Sequence, residues 1–70
     1  MNIDETFTYH KPFGDQAARY VEIREDAKRL AATIKRCSPA SAEQTLALRD
    51  VQRAVMMANA SIAINEKEPV

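Results

Sequence analysis

Between Tyr20 and Cys37 the apolar side chains recur at alternating spacings of three and four: Tyr20, Ile23, Ala27, Leu30, Ile34 and Cys37. This is a seven-residue repeat, and it lays one apolar seam along a helix. The stretch from about Asp15 to Arg36 contains no Gly or Pro, and Asp15 stands where an N-cap belongs. Glu25 and Arg29, four apart in the favourable order, support the wet side of that helix. The seam predicts that Cys37 is buried and inert.

Ser38-Pro39-Ala40-Ser41 breaks the pattern. Pro39 cannot continue the first helix but suits the first turn of a second. Either Ser38 caps with Pro39 following, or Ser41 caps with Gln44 three residues on, as in a capping box. Both leave a short connection, which predicts antiparallel helices. The second helix is expected from about Ala42 to about Asn65, with Leu48, Val51, Val55, Ala58 and Ile62 as its seam. Residues 66–70 are polar and include Pro69, and they read as a frayed tail. Residues 1–14 show no helical period. They read as an extended N-terminal arm ending in a turn at Pro12–Asp15. Phe7, Tyr9 and Lys11 alternate with Thr8 and His10, so one side of an extended arm carries both aromatics. The predicted fold is all-α: an arm (1–14), an antiparallel two-helix hairpin (15–65) and a tail (66–70).

Two seams do not absorb all the apolar residues. Leu46, Met57, Ala60 and Ile64 lie on another side of the second helix, and Ala47, Ala54 and Ser61 repeat every seven residues as a strip of small side chains. Seventy residues make one small domain, which needs burial from disulfides, metal or partner subunits. Cys37 is the only cysteine, and His10, the only histidine, is far from it in sequence. A disulfide within the chain is therefore excluded and a Cys/His metal site disfavoured. Self-association remains. The expected oligomer interface comprises Ala47, Ala54, Met57, Ala58, Ser61 and Ile64.

Ten basic and ten acidic side chains cancel. A duplex-DNA binder normally carries a basic excess, so DNA is not the expected partner. No apolar run reaches the ~20 residues that span a bilayer, and the first residues lack the basic and apolar regions of a signal peptide. With a single thiol the cytoplasm is the default location. Gly14 is the only glycine, so no phosphate-binding glycine loop exists, and no nucleophile elbow or HExxH motif occurs. Glu22, Glu25 and Asp26 read as a solvated helix face. No catalytic residue, metal or cofactor is expected.

The arm carries the more specific chemistry. Tyr9 is followed by His10, Lys11 and Pro12, with Phe7 and Phe13 nearby. An aromatic ring can stack on a nucleobase, and a cation can meet the phosphate. Arg24 and Lys28 are four apart on one side of the first helix. Together these residues offer an aromatic floor and a cationic wall for a nucleotide.

Further residues carry a resemblance. The arm Phe7-Thr8-Tyr9-His10-Lys11-Pro12 precedes Gln16, Arg19-Tyr20, Ile23-Arg24 and Ala27-Lys28-Leu30-Ala31, then Cys37-Ser38-Pro39, Ser41 and Leu46-Ala47-Leu48. Met56-Met57-Ala58-Asn59-Ala60-Ser61-Ile62-Ala63 closes the series. In order and spacing, about residues 6–65 resemble the short helical-hairpin family of phage anti-defence sponges, which sequester the cyclic nucleotide signals of CBASS and Thoeris immunity. Relatives often carry Trp at the position of Met57 and Arg at that of Ile64. The resemblance implies a homohexamer with pockets between subunits, in the host bacterial cytoplasm. It implies that Tyr9 stacks on a base of a cyclic dinucleotide and that Arg24, or alternatively Lys28, contacts phosphate. His10, Lys11 and Pro12 would shape the pocket edge. Cyclic trinucleotides are a further implied ligand class, and the signal would be held without being degraded, which blocks CBASS effector activation. A competing reading is an oligomeric adaptor that binds a partner protein through its second helix. A nucleotide-degrading enzyme is a third reading, with no constellation of residues to support it.

Overall fold

A computed structural model describes residues 11–66 of the chain. They form two α-helices, α1 (Gln16–Cys37, 22 residues) and α2 (Ala42–Asn65, 24 residues), packed against each other, and no strand occurs among the described residues. Ile23 near the start of α1 shares a groove with Ala58 near the end of α2, and Ile34 shares another with Ala47, so the helices run antiparallel. At the usual rise they are about 33 and 36 Å long. The observed bounds fall within a residue of those that the apolar periods predict.

Residues 38–41 turn the chain, and the choice of cap is settled there. Ser41 has extended backbone, and its Oγ accepts from the Gln44 backbone N–H at 3.0 Å. The capping box is only half made. The Gln44 side chain reaches across the connection instead, and its Nε2 donates to the Ser38 carbonyl at 2.9 Å and to Ser38 Oγ at 3.2 Å. Ser38 closes α1, its N–H and Oγ both donating to the Ile34 carbonyl at 3.0 and 2.6 Å. Lys35 and Arg36 in the last turn of α1 and Glu43 in the first turn of α2 complement the helix dipoles. Replacing Ser41 by Ala leaves a helix-start N–H without its acceptor. Ser41→Ala is expected to cost about 1 kcal/mol in a urea titration, and an unchanged midpoint would show that this cap is dispensable.

At the other end of α1 the cap differs from expectation. Asp15 has φ −92° and ψ 10° and makes no side-chain capping bond. Its carboxylate meets Arg19 at 3.1 Å instead. The preceding turn is Phe13–Gln16, one residue later than the sequence implies, and the Gln16 N–H donates to the Phe13 carbonyl at 3.1 Å. Gly14 takes φ +58° at its first central position, where an L side chain would be strained.

The two seams meet, but they do not make a core. Ile23, Ala27 and Ile34 of α1 and Leu48, Val51, Val55, Ala58 and Ile62 of α2 are half-buried, and among the described residues no apolar side chain is fully buried. Two helices make one layer, so each seam is covered along a line and open on both sides. Leu30, a seam residue by period, stays 51% exposed. Cys37 is exposed, contrary to the expected buried thiol, because it borders an open recess beside the turn and is not covered by α2. On α2 the exposed large apolar residues are Leu46, Met56 and Met57.

Candidate ligand-binding surface

At 100° per residue, each helix turns one side to its partner and leaves two flanks. One flank of the hairpin is an apolar groove of about 460 Å³, lined by Ile23, Ala27 and Leu30 of α1 and by Val51, Ala54, Val55 and Ala58 of α2. Asp26 and Asp50 line it too, one from each helix. A second recess of about 650 Å³ lies on the same flank near the turn and is bounded by Thr33, Ile34, Cys37, Pro39, Glu43 and Ala47, among others. Carboxylates beside an apolar trough suit packing better than a phosphate, which they repel.

Arg24 and Lys28 of α1 lie on the other flank. Arg24 stands roughly 160° round the helix from Asp26 and lines neither recess. It is exposed and makes no ion pair among the described residues. Lys28 follows it by one turn, with its ammonium 3.9 Å from Glu25. Arg29 pairs with Asp26, three residues back, and not with Glu25 as its spacing suggests. Asn59 of α2 lies on this basic flank, roughly 140° round its helix from Ala54. Its Oδ1 is shielded from solvent and accepts from no donor among the described residues.

The six expected interface residues divide between two places. Ala54 and Ala58 line the groove and Ala47 lines the recess near the turn, whereas Met57, 59% exposed, and Ile64, half-buried, line neither. Ser61, one heptad beyond Ala54, is exposed on the groove flank. Of the expected pocket residues, Tyr9 and His10 lie outside the described residues, and Lys11 and Pro12 are exposed.

At the start of α1, the structure holds a cluster that the sequence reading missed. Gln16 is 3% exposed, the one buried polar residue among those described. Its Oε1 accepts from the Phe13 backbone N–H at 3.1 Å, and its Nε2 donates to Glu66 Oε1 at 3.0 Å. Arg19 grips the same carboxylate with both terminal nitrogens, at 2.7 and 2.6 Å. Glu66 is the C-cap of α2, so the first residue of the expected frayed tail is tied down. The last turn of α2 has no basic residue, and Arg19 of α1 supplies that charge across the hairpin. One signal was available: in an antiparallel hairpin of near-equal helices, positions 16–19 and 66 fall opposite each other.

The hydrogen bonds from Arg19, and then from Gln16, hold the Glu66 carboxyl down at about 2, against an ordinary 4.5. The Arg19 guanidinium is pushed above its ordinary range, first by its hydrogen bond to Glu66. A carboxyl whose folded value is depressed stabilises the fold above its unfolded value, and that contribution fades as pH falls toward the folded one. Thermal stability is therefore expected to fall between pH 4.5 and 2, with Glu66→Gln flattening that part of the profile. Both side chains are more than one-third exposed, so solvent screening keeps the effect modest. A parent and variant with parallel profiles would show that the ion pair contributes nothing.

These features define a class: a small helical hairpin with an open apolar flank, a basic flank and a hydrogen-bonded cluster at the start of its first helix. The chain belongs to the Acb2/Tad1 hairpin-domain family, the anti-CBASS and anti-Thoeris sponges, whose family model matches residues 1–63. No curated protein and no solved structure matches it.

Proposed function

We propose that this chain is a phage anti-defence protein that binds cyclic nucleotide immune signals and withholds them without degrading them, so that CBASS effectors are not activated. Cyclic dinucleotides are the principal ligands of this reading and cyclic trinucleotides a further class. The observation that carries it is the family match, which spans the arm and nearly all of both helices. A sponge needs many tight sites, and small identical subunits with pockets between them provide many sites per unit mass. Tyr9 is the stacking residue and Arg24 the phosphate contact, with His10, Lys11 and Pro12 at the pocket edge. Arg24 is preferred to Lys28 because its guanidinium can engage phosphate bidentately and has no carboxylate beside it among the described residues, whereas Lys28 has Glu25. The groove flank, with Ala47, Ala54, Ala58 and Ser61, packs against further copies toward a hexamer, and Met57 and Ile64 extend that contact. The setting is the bacterial cytoplasm.

The test is calorimetric titration of the full chain with a panel of cyclic di- and trinucleotides and cyclic ADP-ribose isomers, followed by chromatography of the ligand after denaturation. Tight binding with the ligand recovered intact supports the sponge. A ligand consumed during incubation makes the protein an enzyme. No binding across the panel moves the reading to a protein-binding adaptor, for which the exposed Leu46, Met56 and Met57 would be the contact surface.

A further inference from the structure

We propose that Glu66 is a positioning residue for the N-terminal arm, acting through the buried Gln16 amide on the chain at Phe13. Four hydrogen bonds carry the argument. Gln16 accepts from the Phe13 N–H and donates to Glu66, and Arg19 fixes that carboxylate with two bonds from α1 itself. An ionised carboxylate only accepts, so it takes the NH₂ end of the Gln16 amide. That choice turns the amide oxygen toward Phe13, where an N–H needs an acceptor. Reversed, the amide would set a donor against a donor at Phe13 and an acceptor against an acceptor at Glu66. The last residue of the hairpin thus sets the orientation of the side chain that holds the first.

The placement makes this more than a local tie. Phe13 is half-buried and leads into the turn at Gly14, so the bond at its N–H fixes the direction in which the chain leaves α1. Tyr9 is four residues upstream and can be at most about 14 Å from Phe13 along the chain. A looser base leaves more chain directions to be restricted on binding. The consequence for affinity rests on the nucleotide-binding reading above. The effect on Phe13 does not.

The experiment uses the full-length protein and three variants: Glu66→Ala, Glu66→Gln and Gln16→Leu. Amide hydrogen exchange is followed residue by residue by NMR, and cyclic di-AMP and cyclic di-GMP are titrated calorimetrically. In Glu66→Ala the Phe13 amide is expected to exchange about tenfold faster or more, while amides in the middle of α1 and α2 keep their rates. Glu66→Gln still offers an oxygen to Gln16 and retains most of the Phe13 protection. Gln16→Leu loses it with the Arg19–Glu66 pair left in place, which separates the route through the amide from any general role of that pair. Whichever dinucleotide the parent binds more tightly is expected to bind Glu66→Ala and Gln16→Leu about tenfold more weakly. Unchanged Phe13 exchange in both variants overturns the proposal, as does equal loss of protection along both helices. Faster Phe13 exchange with unchanged affinity overturns the positioning role. Should the parent bind neither dinucleotide, the sponge reading loses its principal ligands, and the Phe13 amide alone decides whether Glu66 sets the base of the arm.

Discussion

Tyr9→Ala is expected to weaken cyclic dinucleotide binding roughly 10- to 100-fold while leaving the size of the proposed assembly unchanged. Stacking of a base on an aromatic ring is worth ~1–3 kcal/mol by alanine substitution, which converts to about that range. Tyr9→Phe keeps the ring and is expected to bind nearly as the parent does. The effect should be insensitive to salt, because stacking involves no net charge. Arg24→Ala should behave differently, with a loss that shrinks as salt rises and screens the parent's own phosphate contact. Lys28→Ala is expected to lose less than Arg24→Ala. Calorimetry at two salt concentrations, with light scattering on each variant, separates these cases. Parent-like affinity in Tyr9→Ala would remove stacking from the proposed site.

Ala54→Glu is expected to break the proposed assembly and, with it, much of the helical structure. Ala54 lies in the apolar groove, which already has Asp26 and Asp50 along it. A third carboxylate buried there against another copy would be large, unpaired and beside like charges. Because no described apolar side chain is buried within one hairpin, a released monomer keeps only half-covered seams. Dissociation and unfolding should therefore be coupled, and the melting temperature of the parent should rise with protein concentration. Size-exclusion chromatography with light scattering should find Ala54→Glu near the 7.9 kDa of a single chain, with a reduced far-ultraviolet helix signal. Ala54→Ser, close in volume, should remain assembled. An Ala54→Glu protein of parental size and helicity would show that the groove is not the contact between copies.

The helices were legible because their information is local. Alternating threes and fours place Ile23, Ala27 and Ile34 on one side of α1 whatever lies nearby, and Pro39 ends the pattern by removing an N–H and fixing a dihedral. Which serine caps α2 was not legible. Ser38 and Ser41 have equal chemistry, and the outcome depends on where Gln44 reaches once the helices are side by side. Asp15 is a good N-cap by type, but Arg19 competes for its carboxylate, and Arg19 is itself held in place by Glu66. The period places Cys37 on the seam, yet a seam residue is buried only as far as a partner covers it, and Cys37 borders an open recess beside the turn.

The candidate site divides along the same line. Tyr9 and the Arg24–Lys28 pair were picked out by residue type and spacing, which reveal a capacity to stack or to meet phosphate. The separation of Arg24 and Lys28 from the groove could not be read without the pairing of the helices, because a helical period has no origin until one side is known to face inward. Sequence alone determined two helices, their bounds to within a residue, the short connection and an excess of apolar surface, all set by interactions within a few positions of one another. The tertiary structure decided which flank is an acid-edged trough and which is basic. It also decided that Glu66 meets Gln16, 50 residues away, and Arg19, 47 residues away, at the start of α1. A contact of that separation exists only after the chain has turned back on itself, and no local pattern can encode it.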